Sequence, residues 1–235
     1  MPAALIIQHE AEAPPGHLTE ALQLAGVDQT IVRVDLGEEL PDPRAFDFVV
    51  SLGSDQSVLA ADRFEWIPRE IAWLREADSH GIPVLGLCFG AQILAKALGG
   101  EIIRAPIPEH GWVKLNTDDP ELIAPGPWLS WHNDTILPPP GAEVIARTSH
   151  SPHAIRIGPH LGTQFHPEAT SEIVGYWVAK ASRDGVIPIH ESGSPPAHLD
   201  ADNFEAARPR AIDLFTRFFA EALNLNQAER KVVNR

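Results

Sequence analysis

One cysteine, Cys88, occurs in the whole sequence, so no intramolecular disulfide can hold the fold together. A reducing, cytoplasmic compartment is the natural expectation. No apolar stretch reaches the roughly 20 residues that a membrane helix needs. No basic segment followed by an apolar run opens the chain in the manner of a secretory signal. Basic charge is scarce: 18 Lys and Arg stand against 32 Asp and Glu, a formal net charge of -14. So acidic a surface repels phosphate backbones and anionic headgroups, which excludes nucleic acid and membrane as expected partners. Internal repeats and low-complexity blocks are absent, as is any G-x-x-x-x-G-K-[ST] phosphate loop.

What is present suits one α/β domain over residues 1–235, with 44% hydrophobic residues to build a single large core. Ala3 to Gln8 is a short apolar run and reads as a buried parallel strand. Leu18, Leu22 and Ala25 give His17 to Ala25 helical spacing, and Gly26 stops it. Gln29 to Val34 and Phe46 to Leu52 read as further strands. A helix built on Phe64, Ile67, Ile71 and Leu74 ends at Gly81, before an apolar strand over Ile82 to Leu87. This alternation predicts a mainly parallel central sheet flanked by helices. After Gly100 the rhythm changes to short strands and Pro-rich turns, with Val144 to Ala146, Ala154 to Ile157 and Gly162 to Phe165 as strands. That predicts a small antiparallel extension of the sheet. Ser171 to Ala181 reads as helix, 184–200 as a Gly/Pro/Ser-rich loop, Phe204 to Leu223 as a final helix that Pro209 starts or kinks, and 225–235 as a frayed polar tail.

The segment Gly86-Leu87-Cys88-Phe89-Gly90-Ala91-Gln92 joins the strand ending at Leu87 to a helical run through Ile93, Leu94, Ala97 and Leu98. It has the G-x-C-x-G form of a nucleophile elbow. A sharp turn lifts the sulfur above the sheet edge, flanking glycines avoid Cβ clashes, and the helix N-terminus favours a thiolate. The Phe89 N–H is then placed to stabilise an oxyanion. A lone cysteine is most often a buried structural thiol; the flanking glycines and the strand-to-helix context favour a nucleophile. Cysteine versions of the α/β-hydrolase elbow share this form.

Gln164-Phe165-His166-Pro167-Glu168 supplies a base and an acid. A cysteine nucleophile needs an imidazole within reach, and the imidazole needs a third group to fix its tautomer. His166 is expected at a strand end, Pro167 stiffens the following turn, and Glu168 folds back to the ring. The closest histidine pair, His150-x-x-His153, finds no third ligand in the sequence pattern, so no metal site is expected.

GLCFGAQ and QFHPE resemble the two signatures of class I glutamine amidotransferases, the domain found in GMP synthetase, anthranilate synthase and carbamoyl-phosphate synthetase. Their separation, 166 − 88 = 78 residues, is of the kind that family shows. The resemblance runs from about Phe48 to Glu168. It implies a flavodoxin-like fold and a catalytic triad of Cys88, His166 and Glu168. It also identifies Val50 to Val58 with the family's oxyanion loop, a Ser-Gly-Gly-Pro run before Ser-Val, from which this chain departs at Leu52 and Ser54. Gly53 thereby becomes the second oxyanion donor beside Phe89. Gln92 matches a position that holds the glutamine substrate. Trp131-His132-Asn133-Asp134 resembles the segment that reads the substrate's amino and carboxylate groups, Ser-His-Gly-Asp in GMP synthetase-like members. Trp131, His132 and Asp134 are therefore expected substrate contacts, and Asn133 departs from the pattern. Glu109-His110-Gly111-Trp112 is similar to the E-x-G-W turn of the same members, with a structural role.

The implied reaction is hydrolysis of the L-glutamine side-chain amide through a cysteinyl thioester, with no metal or organic cofactor. Such domains pass ammonia to a synthetase. With no adenylating module in this sequence, a separate ATP-dependent synthetase is the expected partner. A self-contained γ-glutamyl amide or peptide hydrolase using the same triad is the alternative, and a non-catalytic interaction protein on the same fold is a second. An α/β-hydrolase places its acid between nucleophile and histidine in chain order, whereas here Glu168 follows His166.

Overall fold

The computed structural model describes residues 1–183 and 201–233, with side chains through 225. The loop expected over 184–200 lies outside the described residues. The first half alternates strand and helix: β1 (Ala3–Gln8), α1 (His17–Ala25), β2 (Asp28–Arg33), β3 (Phe48–Ser51), α2 (Trp66–Ser79), β4 (Val84–Leu87) and α3 (Phe89–Ala97). The second half holds β5 (Glu101–Val113), β6 (Asn116–Thr117), β7 (Trp128–Leu137), β8 (Glu143–Arg147), β9 (Pro152–Ile157), β10 (His160–Thr163), α4 (Ser171–Arg183) and α5 (Ala201–Val233). Gly26 closes α1 in the left-handed conformation, φ 64°, its N–H bonding to the Leu22 and Gln23 carbonyls.

The main sheet has eight strands in the order β2-β1-β3-β4-β10-β9-β8-β6. β2, β1, β3, β4 and β10 run parallel, and β9, β8 and β6 continue the sheet antiparallel. This is the mainly parallel α/β sheet with an antiparallel extension that the alternation predicts. Both faces are covered, and the strands show why they must be. Ala4 and Ile6 of β1 join one apolar cluster with Leu18 and Leu22 of α1 and Phe215 and Phe219 of α5. Leu5 and Ile7, pointing the opposite way, join a second cluster with Ile67 and Leu74 of α2 and Ile93 and Leu94 of α3. β3 divides likewise, Phe48 and Val50 to one side and Val49 to the other. Continuous apolar strands, rather than alternating ones, are what a sheet sandwiched between helix layers requires.

Two segments differ from expectation. In place of short strands after Gly100, β5 and β7 form a long two-stranded antiparallel arm of 13 and 10 residues. Pro106 and Pro108 argue against a strand there, because proline cannot donate to a ladder. They are accommodated where the β5–β7 register shifts, between Arg104 and Glu109, so no ladder bond is asked of them. The last helix is also longer than its apolar stripe: α5 runs from Ala201 through Val233, beyond the expected stop at Leu223 and into the expected tail, with Pro209 inside it.

Candidate active site

β1, β3, β4 and β10 are neighbours, and their carboxyl ends deliver four residues to one edge of the sheet: His9, Gly53, Cys88 and His166. The strand order reverses between β1 and β3, and ligand sites in open α/β sheets gather at such a crevice. This explains how residues far apart in sequence meet. Thr163 of β10 pairs with Leu87 of β4, and the Cys88 N–H donates to the Thr163 carbonyl at 2.7 Å, so both chains leave the ladder at the same level. His166 is not at the strand end itself. β10 stops at Thr163, because its β4 neighbour turns away at Cys88, and Gln164 and Phe165 carry the chain into the core before the imidazole is reached.

Cys88 has φ 50° and ψ −104°, and it is the one non-glycine among the described residues with positive φ. Its glycines are steric necessities. A Cβ on Gly86 would sit 2.5 Å from the Gly90 carbonyl oxygen. Cys88 is 5% exposed and occupies the N-cap position of α3 without a capping bond from its side chain. Its S–H points to the Trp131 carbonyl at 3.8 Å, and Gln164 Nε2 donates to the sulfur at 3.4 Å. Gln164 is itself oriented by Gln92, whose Nε2 donates to Gln164 Oε1 at 3.2 Å and to the Asp134 carbonyl at 3.3 Å.

His166 Nδ1 lies 2.7 Å from Glu168 Oε1, and both side chains are buried. With Nδ1 committed to the carboxylate, Nε2 is left with no hydrogen-bond partner among the described residues. Burial pushes the imidazole pKa down, but the charges and hydrogen-bonding capacity of Cys88 and Glu168 outweigh it and hold it well above the ordinary value. Trp177 packs against the ring at 4.7 Å. The turn carrying Glu168 is pinned from behind, since the His17 N–H donates to the Glu168 carbonyl at 3.0 Å. Gly16, φ 52°, passes so near that a Cβ would lie 2.0 Å from that oxygen.

A cavity of about 380 Å³ opens over the sulfur and is lined by Gly53, Cys88, Phe89, Gln92, Trp131, His132, Asp134 and His166, among others. Every residue picked from the sequence except Glu168 thus lines it, and Glu168 stands behind His166. Not all of them present a free polar group to it. Gln92 Nε2 is engaged inside the wall, and His132 Nδ1 donates to the Asp134 carbonyl at 2.9 Å. Asp134 Oδ2 accepts from Ser57 Oγ at 2.5 Å, and Arg104 Nη1 lies 2.9 Å from Oδ1. Ser57 therefore ties the loop after β3 to the β7 strand.

Glu109, His132 and His153 are the one group among the described residues whose donor atoms could approach a shared cation, lying within 4.8 Å of one another. Of the closest histidine pair in the sequence, His150 and His153, only His153 belongs to this group. The contacts seen are those of a buried hydrogen-bond network. Glu109 Oε2 lies 3.0 Å from His153 Nε2 and accepts from Ser151 Oγ at 2.5 Å and Thr148 Oγ1 at 3.2 Å. Burial raises the Glu109 pKa, but the nearby His132 ring and the His153 and Ser151 hydrogen bonds outweigh it and hold it far below the carboxylate range. The network clamps β5 and β7 to β9, which agrees with a structural role for the Glu109 turn.

Sequence reasoning missed Gln164, His9 and Glu70. Gln164 was visible inside its motif, but nothing in the spacing says its amide reaches Cys88. Glu70 looks like one more charged residue on a helix, yet it is 0% exposed.

Fold and site together define an α/β protein built around a nucleophile-elbow cysteine with a paired histidine and glutamate beside it. The family model for class I glutamine amidotransferases matches residues 17–179, and the chain belongs to that family, resembling its GMP synthase type. It is 41% identical over 158 residues to the glutamine-hydrolyzing GMP synthase of Aeropyrum pernix, covering 61% of this chain and 29% of that protein. It is 28% identical over 173 residues to a glutamine-hydrolyzing GMP synthase subunit from Sulfolobus acidocaldarius, covering 69% of this chain and 88% of that relative. The chain thus spans less than a third of the Aeropyrum protein but most of the shorter Sulfolobus one. Among solved structures, a glutamine amidotransferase from Methylobacillus flagellatus superposes with a TM-score of 0.82 at 26% identity, covering 94% of each chain. Among the described residues no helix is long and apolar enough to cross a membrane.

Proposed function

We propose that this chain hydrolyses the side-chain amide of L-glutamine to glutamate and ammonia and passes the ammonia to a separate ATP-dependent synthetase in the cytoplasm. The observation that carries the reading is the strained, positive-φ Cys88 beside a buried His166 whose Nδ1 is held by Glu168 and whose Nε2 is left without a partner.

His166 takes the thiol proton, and the Cys88 sulfur attacks the amide carbon. A C–S bond forms as the carbonyl π electrons move to oxygen. The N–H groups of Gly53 and Phe89 receive that oxyanion; as the first residue of α3, Phe89 has no intrahelical acceptor for its N–H. The imidazolium protonates the departing nitrogen, the C–N bond breaks, and a γ-glutamyl thioester remains. His166 then deprotonates water for attack on the thioester, and collapse returns the thiolate and glutamate. Glu168 fixes the Nδ1–H tautomer and supports the imidazolium. Asp134, the Trp131 strand, Gln92 and His132 line the part of the cavity that receives the substrate's amino-acid end. No step calls for a metal or organic cofactor.

A second reading has one observation in its favour. The cavity of about 380 Å³ falls in the size range of pockets that hold ligands larger than one amino acid, which suits a γ-glutamyl amide or peptide. The deciding assay is ammonia release from glutamine beside release of amines from γ-glutamyl amines. Cys88→Ala abolishes both, and a glutamine-like chloroketone labels Cys88 alone. Turnover near wild type in Cys88→Ala removes the nucleophile assignment. If γ-glutamyl amines are cleaved and glutamine is not, the hydrolase reading replaces the amidotransferase one.

A further inference from the structure

Gly53 has no side chain to hold its backbone in one conformation, yet both peptide groups that meet at its Cα are fixed. The Leu52 carbonyl accepts the Gly90 N–H at 3.0 Å. The Gly53 carbonyl faces His9 Nδ1 at 3.2 Å, and because a carbonyl only accepts, Nδ1 is the donor. The first bond ties the loop after β3 to the elbow helix α3. The second ties it to the end of β1.

His9 is held as firmly as the carbonyl it holds. Its Nε2 lies 2.8 Å from Glu70 Oε2, and one proton is shared in that contact whichever partner carries it. Glu70 Oε1 accepts from Ser51 Oγ at 2.7 Å, which returns the network to β3 two residues before Gly53. His9 is 2% and Glu70 0% exposed. The imidazole is packed between Trp66, at 5.1 Å, and the edge of Phe89, at 4.8 Å. Burying two ionisable groups costs several kcal/mol unless they are paired and hydrogen-bonded, as His9 and Glu70 are. Nothing in the proposed chemistry uses either group directly.

We infer that His9 and Glu70 are positioning residues for the oxyanion hole: Glu70 orients the His9 ring, His9 Nδ1–H fixes the peptide that follows Gly53, and the Gly90–Leu52 bond fixes the preceding peptide, which carries the Gly53 N–H, so that both torsions of Gly53 are set only while both bonds are made. Without the His9 bond Gly53 loses one of these two restraints, and a residue with no Cβ has the widest range of torsions to move into. The inference rests on the proposed glutamine chemistry for its kinetic consequence but not for its geometry.

The test uses His9→Phe, which keeps a flat ring without the donor, and His9→Asn, whose amide nitrogen can take the place of Nδ1. With glutamine, His9→Phe lowers kcat by about 10- to 100-fold, short of or equal to the loss of one oxyanion donor, and leaves KM near wild type. His9→Asn recovers most of that loss. Alkylation of Cys88 by iodoacetamide needs no oxyanion hole, so its rate and pH profile stay at wild type in both. A His9→Phe enzyme with wild-type kcat overturns the inference. So does parallel loss of alkylation, which marks general disorder of the site, or a His9→Asn enzyme no better than His9→Phe. Should wild type release no ammonia from any γ-glutamyl substrate, the functional reading fails by itself. A crystal structure of His9→Phe then decides the positioning role: a rotated Gly53 carbonyl supports it and an unmoved one ends it.

Discussion

Gly90 packs directly on the backbone of Ser51: a Cβ there would fall 1.9 Å from the Ser51 carbonyl oxygen and 2.9 Å from its Oγ. The last glycine of the elbow motif is thus as much about where α3 rests on β3 as about the turn itself. Gly90→Ala must push the helix off the strand, and overpacking of this kind costs about 1–3 kcal/mol or more. The expected result is a urea midpoint well below wild type with an unchanged slope. An unshifted midpoint would show that the helix yields freely, and the close approach would then explain nothing about the motif.

His166 is pulled in two directions. Burial lowers its pKa, while Cys88 and Glu168 raise it to a net value well above the ordinary one. Because the folded value is the raised one, this group's contribution to stability is present below the ordinary imidazole pKa and is lost as pH rises through the folded value. Cys88→Ala removes one of the two supports, so the pKa of His166 falls and less stability is lost on the alkaline side. An NMR titration of the imidazole in both proteins measures the first effect, and thermal unfolding across pH measures the second. Identical titrations would mean that thiol and imidazole are not coupled.

Much of this was legible in the sequence, for physical reasons. The limits of β1 and α1 follow from an apolar run and from Leu18, Leu22 and Gly26, all local signals. Cys88, His166 and Glu168 could be found because the elbow and the His-Pro-Glu turn are contiguous motifs. The β5–β7 arm was not legible, since Pro106 and Pro108 break the local pattern and only pairing with β7 rescues it. Glu70 and His9 were not legible either: the bond between them spans 61 residues, and burial, which no periodicity reports for a single polar side chain, is what distinguishes them.

Glu10 stands at the rim of the cavity and accepts the Asp55 N–H at 2.8 Å. Burial raises its pKa from the usual 4.5 to about 7, with Lys180 opposing and Glu12 and Asp35 adding to the rise. Between those values the folded protein keeps a proton that the unfolded chain has released. The group's contribution is therefore full below the lower value and lost as pH rises through the upper one. Glu10→Gln keeps an acceptor and carries no charge. It should match wild type in Tm near pH ~5 and exceed it near pH ~8. Equal Tm differences at the two pH values would place the Glu10 carboxyl in water.

Gln164 makes the one side-chain hydrogen bond to the Cys88 sulfur among the described residues, and Gln92 determines which end of its amide faces the thiol. A donor aimed at sulfur favours the thiolate over the thiol. Gln164→Glu preserves the shape but replaces the donor with an acceptor and brings a negative charge toward a forming negative charge. Iodoacetamide alkylation at neutral pH should slow by about tenfold or more and its pH profile should move to higher pH. Gln164→Leu removes the donor without adding charge and should fall between that variant and wild type. This order separates the two contributions, since the step from wild type to Leu measures the lost hydrogen bond and the step from Leu to Glu measures the charge. If Leu and Glu react equally fast, charge at this position does not reach the sulfur. If Leu matches wild type, the 3.4 Å contact is packing alone and the thiolate depends on His166 and the α3 N-terminus.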